Sequence, residues 1–173
     1  VGSAGIVVTG SGGSATITIE DNGEISGGTG TQEFDTAYSG AGSVGIALLE
    51  PSGIDLVIRR NDLIISGSGT QNSTRETSVG SIGILASSEY SSTVAIKNNL
   101  IVSTDGSVVA DQYGNTDAVN SAGIFFYNGV SHDVYNNTIV TRSTGDLSVV
   151  ALIENANDGI INNAFISEST ATT

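Results

Sequence analysis

Three aspartates that could bind a metal ion lie close together in the chain. Asp105 is followed by Asp111 and Asp117, and the last two enclose a Gly- and Asn-containing loop. Calcium takes about six to eight oxygen ligands, which carboxylates, amides and carbonyls of such a loop can supply. The spacing matches neither an EF-hand nor the nonapeptide calcium repeat. The three aspartates are therefore calcium candidates, and no other metal or cofactor is indicated.

The basic residues and the single histidine are the other groups that could act on a substrate. Arg59 or Lys97 beside acidic cation ligands would suit a polysaccharide lyase. However, Glu20, Arg59 and Lys97 stand at equivalent places in a repeated pattern, which favours an exterior column of salt bridges. His132 precedes the apolar strand that is predicted to begin at Val134, and it is interpreted as a turn residue. We therefore assign no catalytic residue, and the sequence favours a non-enzymatic protein.

The composition limits the partners of the chain. Its 173 residues carry a formal net charge of -13, with 5 basic against 18 acidic residues. Nucleic acid is excluded as a partner, because phosphate binding depends on clustered Lys and Arg. No run of about 18 apolar residues predicts a membrane span, and the absence of cysteine removes disulfides and thiolate metal sites. Asn72 and Asn136 begin Asn-x-Ser/Thr sequons and are glycosylation candidates.

The elements that must position these side chains belong to a unit present five times. Each copy reads as an alternating apolar strand, an Asn-containing corner and a second apolar strand, as in residues 94–103. Asn tolerates left-handed backbone angles, and its amide can bond to the Asn of the next copy. The corner pairs are Asp21-Asn22, Asn61-Asp62, Asn98-Asn99, Asn136-Asn137 and Asn162-Asn163. From them we predict a structural ladder of Asn22, Asn61, Asn98, Asn136 and Asn162.

A second marker, Ser-x-Gly-Ile, precedes each of the first four strand pairs. It places Ile6, Ile46, Ile84 and Ile124 at intervals of 38 to 40 residues (46 − 6 = 40, 84 − 46 = 38, 124 − 84 = 40), with Leu152 in a degenerate fifth copy. A fixed period of about 20–50 residues indicates a solenoid. We predict that these five residues form one interior ladder.

Strand patterning identifies the type of solenoid. The repeats hold short Ile- and Val-rich strands and lack helical periodicity. Parallel pairing of successive copies gives an all-β, single-stranded parallel solenoid of about five coils with long stacked loops. Residues 1–173 form one such domain, and we expect both its ends to be uncapped. Alternation points Phe126 inward and leaves Phe125 exposed unless a loop covers it.

These strand–Asn–Asn–strand stretches and Gly-Ile markers resemble the right-handed parallel β-helices of the pectate-lyase-like superfamily. The resemblance covers nearly the whole chain and implies the fold. The superfamily includes polysaccharide lyases and hydrolases, phage tailspikes and surface proteins, so the fold alone selects no activity. Asn115-Thr116-Asp117 is similar to one fragment of the polygalacturonase signature, but the remaining fragments of that signature are missing.

The function expected from these patterns is structural. We interpret the chain as an extracellular or cell-surface β-helix, an adhesin or stalk or the subunit of a self-stacking filament. Its expected partner is another copy stacked end to end through β-augmentation, or the adjoining β-helix of a longer chain. The alternative is a β-helix that binds or cleaves polysaccharide.

Overall fold

The computed structural model describes residues 1–10, 13–32, 39–49, 53–71, 77–87, 92–108, 119–127, 130–143, 148–153 and 159–169. Within these ranges the backbone forms eighteen strands and no helix. The protein is therefore all-β, as the Ile- and Val-rich segments between turn residues predict.

The strands follow the repeats of the sequence. The first repeat holds β1 (Ser3–Thr9), β2 (Ala15–Glu20), β3 (Ile25–Ser26) and β4 (Gly30–Gln32). The second holds β5 (Ser39–Leu49), β6 (Ile54–Arg59), β7 (Ile64–Ile65) and β8 (Gly69–Gln71). The third holds β9 (Thr77–Ser87), β10 (Ser92–Lys97), β11 (Leu100–Ser103) and β12 (Gly106–Val108). The fourth holds β13 (Val119–Tyr127), β14 (Val130–Tyr135) and β15 (Thr138–Ser143), and the fifth holds β16 (Ser148–Ile153), β17 (Gly159–Ile161) and β18 (Ala164–Ser169).

Equivalent strands of successive repeats pair in parallel and form four sheets. The first sheet has the order β1-β5-β9-β13-β16, the second β2-β6-β10-β14-β17, the third β3-β7-β11-β15-β18, and the fourth β4-β8-β12. Every pairing between the described strands is parallel. This arrangement is consistent with a parallel β-helix or solenoid.

The first sheet aligns the isoleucines of the Ser-x-Gly-Ile marker. Ile6 pairs with Ile46, Ile46 with Ile84, and Ile84 with Ile124. In the fifth repeat Ile124 pairs with Ala151, so the alignment of Leu152 with this column is wrong. The register there follows the serine of the marker, because Ser148 pairs with Ser121 and thereby shifts the apolar residues by one position.

One hydrophobic core is shared by the inward faces of the first three sheets. Its fully buried members include Ile46 from the first sheet, Ile58 and Ile96 from the second, and Ile64 and Ile101 from the third. In β6 and β10 buried residues alternate with residues that are exposed or half-buried, as expected for strands covered on one face. Stacked β-branched side chains therefore fill the interior at successive levels.

A second core lies on the opposite face of the first sheet. Val44, Ile82, Leu85 and Phe125 are each at most 1% exposed and belong to a cluster separate from the first core. The central strands β5, β9 and β13 are thus buried on both faces, which explains their nearly continuous apolar sequences. Alternation alone would expose Phe125, but this face of the sheet is covered, whereas Phe126 points into the first core as expected.

The glycine of the marker is required where the first sheet approaches the third. A Cβ atom on Gly45 would lie 2.6 Å from the carbonyl oxygen of Gly83 and 2.9 Å from Ile64 Cγ2. On Gly83 it would overlap the carbonyl oxygen of Gly123 and approach Ile101 Cγ2 to 2.5 Å. Any side chain at these positions would separate the sheets.

The serine of the marker holds the corner between the third and fourth sheets. Ser43 Oγ donates to the carbonyl of Gly28 at 2.8 Å and accepts the amide proton of Gly67 at 2.9 Å. In the same way, Ser3 donates to Gly27 and Ser81 to Thr104.

The described parts of the long segments after the third sheet, β4, β8 and β12, stack on one another as predicted. Gly30 pairs with Gly69 and Gln32 with Gln71, and Gly69 pairs in turn with Gly106. This part of the fold therefore repeats with the same period as the core strands.

Candidate functional site at the asparagine corner

A continuous column of asparagine side chains joins all five repeats at the corner between the second and third sheets. Each amide Nδ2 donates to the Oδ1 of the next asparagine, at 2.8, 2.9, 3.0 and 3.0 Å in succession. The same Oδ1 also accepts the backbone N–H of the preceding asparagine at 2.9 to 3.2 Å. The members of the column are Asn22, Asn61, Asn99, Asn137 and Asn163.

The three central asparagines of this column are buried and satisfy backbone carbonyls. Asn61, Asn99 and Asn137 are 2 to 4% exposed. Asn99 Nδ2 donates to the carbonyls of Ile58 and Lys97, both at 3.1 Å, in addition to its bond to Asn137. A buried amide without these partners would lower the stability of the fold. Each asparagine of the column therefore fixes the path of the backbone at its corner.

The column runs through a different residue from the predicted one in the last three repeats. Asn22 and Asn61 belong to it, but Asn98, Asn136 and Asn162 stand one residue earlier in the chain and are not its members. They have φ values of 57°, 55° and 54°, in the left-handed region. The ladder predicted from sequence therefore mixes two adjacent columns.

The physical reason for this error is that both residues of the corner favour Asn. The first residue must adopt the left-handed conformation, which Asn tolerates, and the second must bond across repeats. In the first two repeats the left-handed residues are Asp21 and Arg60, so the true corner of the second repeat is Arg60-Asn61 and not Asn61-Asp62. Asp also tolerates such angles, so the residue types alone do not distinguish Arg60-Asn61 from Asn61-Asp62.

A column of charged side chains runs beside the asparagines on the exterior. The second sheet aligns one residue from each repeat in this column, which confirms the predicted alignment. In order along the stack they are Glu20, Arg59, Lys97, Tyr135 and Ile161. Arg59 Nε lies 2.6 Å from Glu20 Oε2, and the Lys97 Nζ atom lies 5.3 Å from the centre of the Tyr135 ring. Both contacts join neighbouring repeats.

Arg60 extends this column into a cluster of four charges. Its guanidinium contacts Glu20 Oε2 at 2.8 Å and Asp21 Oδ2 at 2.7 Å. The hydrogen bond from Arg59 lowers the pKa of Glu20, and the hydrogen bond from Arg60 lowers the pKa of Asp21. The same contacts raise the pKa of Arg60, chiefly through Asp21. The cluster is neutral overall and bonds the first two repeats to each other.

His132 is an interior residue and not the predicted turn residue. It lies within β14, is 2% exposed and is a register partner of Val94, a member of the first core. Its ring stacks on Phe126 with the ring centres 4.4 Å apart. The turn interpretation fails because the strand begins two residues before His132, and alternation then points the imidazole inward.

The remaining predicted residues are only partly within the described ranges. Asp105 is exposed, whereas Asp111, Asp117 and Asn72 lie outside the described residues. Asn136 is exposed, and its Oδ1 accepts a hydrogen bond from Asn162 Nδ2 at 2.6 Å. Within the described ranges, no group of three or more His, Asp or Glu side chains is placed to hold a metal ion.

Two further observations concern the membrane and known proteins. In the part of the chain that the structure describes, no helix is long and apolar enough to cross a membrane. No protein-family model, curated protein sequence or solved structure matches the chain.

Proposed function

We propose that this chain is a right-handed parallel β-helix of about five coils that serves as a structural module of an extracellular or cell-surface stalk or filament. The asparagine column carries this proposal. It joins all five repeats through side-chain hydrogen bonds that run in a single direction along the stack. Such continuity stiffens a solenoid, because no repeat can move without breaking bonds to its neighbours.

The side chains that could perform chemistry support the same proposal. Glu20, Asp21, Arg59 and Arg60 are engaged with one another across repeats. Arg142 and Glu168, on the third sheet, form another such pair at 2.9 Å. Charges committed to neighbouring repeats suit a structural role better than acid–base catalysis, which needs a side chain within reach of a substrate.

The extracellular assignment is supported by the accessible sequon. Asn136 is exposed, as a glycan acceptor must be. Production in a glycosylating host should give a mass increase that Asn136→Gln reduces.

Mechanical unfolding tests the structural role. With handles at the two chain ends, the repeats should unwind one at a time, because each contacts mainly its neighbours. A repeat of 38 or 39 residues should release about 130 Å of extended chain per step. A single step that released the whole chain would contradict a stack in which each repeat is held mainly by its neighbours.

A polysaccharide panel tests the enzymatic alternative. The chain should release neither reducing ends nor unsaturated products from acidic or neutral polysaccharides, with or without calcium. Catalytic turnover that scales with protein concentration would overturn the structural proposal. Arg59→Gln and Lys97→Gln variants would then show whether the exterior column carries that activity.

A further inference from the structure

We propose that a second copy of this chain stacks head to tail on the fifth repeat, with Asn163 of one copy bonded to Asn22 of the next. This inference rests on the proposed structural function and specifies the partner, the direction and the register of the contact. It follows from the polarity of the asparagine column, from the apolar surface of the last repeat and from the alignment of the strands.

The fifth repeat presents the donor end of the column. Inside the molecule, the amide protons of both corner residues are used: Asn98 N–H donates to the carbonyl of Tyr135 at 3.2 Å, and Asn99 N–H donates to Asn137 Oδ1 at 3.0 Å. At the last corner the equivalent donors are the N–H groups of Asn162 and Asn163. Among the described residues, neither of these groups has an acceptor.

The first repeat presents the matching acceptor end. Asn61 Oδ1 accepts from Asn22, but Asn22 Oδ1 itself accepts from none of the described residues. The N–H of Asp62 donates to the carbonyl of Asn22 at 2.9 Å, and the equivalent N–H at the first corner belongs to Gly23. Inside the molecule the Arg59 carbonyl accepts the Asp21 N–H. The equivalent acceptor in the first repeat is the Glu20 carbonyl.

The two ends are therefore complementary at a single corner. In the proposed register Asn163 N–H and Nδ2 meet Asn22 Oδ1, Asn162 N–H meets the Glu20 carbonyl, and Gly23 N–H meets the Asn163 carbonyl. Each of these contacts repeats one already made between neighbouring repeats inside the molecule. The donors without acceptors on the fifth repeat meet the acceptors without donors on the first, so the register is head to tail.

Apolar side chains of the last repeat favour the same contact. Ile160, Phe165 and Ile166 are 39, 47 and 42% exposed. Their register partners Val134, Ile139 and Val140 are at most 5% exposed, because a further repeat covers them. A following repeat would bury this surface in the same way, which supplies a hydrophobic contribution to association.

The register places Ile161 against Glu20 of the next copy, which provides a specific test. Inside the molecule the equivalent neighbours Arg59 and Glu20 form an ion pair. Ile161→Lys should therefore strengthen stacking, whereas Ile161→Glu should oppose like charges and weaken it. Ile161 is 57% exposed, so neither substitution disturbs the core.

The experiment is sedimentation velocity with negative-stain electron microscopy over a concentration series. The net charge of -13 opposes association at low ionic strength, so the buffer should contain about 0.15 M salt. We expect linear end-to-end assemblies of the natural chain, at least tenfold fewer with Ile161→Glu, and more with Ile161→Lys. The matched control Ser68→Glu adds the same charge at an exposed position of the second repeat and should assemble normally.

Each outcome bears on the inference. A natural chain that remains monomeric at every concentration would overturn it, and so would equal effects of Ile161→Glu and Ile161→Lys. Phe165→Glu provides a second variant at the same surface, and circular dichroism verifies that each variant folds. Stepwise mechanical unfolding of a chain that never assembles would leave the structural function standing while rejecting the stacking contact.

Discussion

Arg59 and Glu20 face each other on neighbouring strands of the second sheet, with Arg59 Nε 2.6 Å from Glu20 Oε2. Arg60 reaches both Glu20 and Asp21 from the same corner. Because these contacts lower the pKa of both carboxyl groups, the folded state holds them ionised to a lower pH than the unfolded state does. Their contribution is complete above the unfolded pKa and is lost as the pH falls through the folded pKa.

The first prediction concerns this pH dependence. Arg60→Asn removes the guanidinium and keeps a residue suited to the left-handed φ of 54°. The loss of stability on acidification from about pH 5 to pH 2 should become shallower, because the pKa of Asp21 returns toward its ordinary value. Urea unfolding at a series of pH values measures the slope.

Lys97→Asn is the control for this prediction. It also removes one positive charge from the exterior column, but the contact described for Lys97 is the ring of Tyr135. Its acid slope should match that of the natural chain. Equal slopes in all three proteins would show that the Arg60 contact does not hold Asp21 ionised.

The second prediction separates the two adjacent corner columns. Asn99→Ala removes the oxygen that accepts hydrogen bonds from the backbone N–H and the Nδ2 of Asn61. These buried donors would then lack partners, so we expect the free energy of unfolding to fall by about 3 kcal/mol. Asn98→Gly keeps the left-handed conformation at an exposed position and should change stability by less than about 0.5 kcal/mol. Urea denaturation measures the free energy of unfolding of both variants. A larger loss for Asn98→Gly than for Asn99→Ala would contradict the asparagine column described above.

The parallel all-β architecture of this chain could be predicted from sequence because the same strand pattern recurs in each repeat. Alignment of Glu20, Arg59 and Lys97 required only the repeat period, and backbone pairing confirms it. The choice between Asn98 and Asn99 could not be made in the same way. Both positions favour Asn for different physical reasons, and only the φ values and side-chain bonds distinguish them.

The burial of Phe125 and His132 could not be predicted for a related reason. Alternation fixes which residues share a face of a strand, but it does not state whether that face is covered or where the strand begins. The serine of the marker could have been assigned a role from sequence, since Ser3, Ser43 and Ser81 recur with the repeat. A recurrent small polar residue before a buried strand indicates a bond to a neighbouring segment, as the structure describes.

The third prediction concerns the glycine column between the first and third sheets. Gly83→Ala would place a Cβ atom against the Gly123 carbonyl and Ile101 Cγ2, and backbone movement should cost about 1–3 kcal/mol. Gly23→Ala is the matched control, because no atom lies within 4 Å of its added Cβ. It should leave stability unchanged or raise it by up to about 1 kcal/mol. Thermal unfolding ranks the two, and a tolerated Gly83→Ala would refute the close approach of the sheets.

The fourth prediction tests whether the outer face of the first sheet is a second core. Phe125 is fully buried there, beside Leu85 and Ala122, whereas Phe165 is 47% exposed on the last repeat. Phe125→Ala should lower the free energy of unfolding by about 3–5 kcal/mol, through lost transfer energy and the cavity left behind. Phe165→Ala deletes the same atoms from a surface in contact with water and should cost less than about 1.5 kcal/mol in the monomer. Denaturant unfolding at low protein concentration compares them, because stacking of copies would otherwise bury Phe165. Equal losses would mean that the outer face contributes no more than a surface patch, and the burial of both faces of β13 would then not explain its continuous apolar sequence.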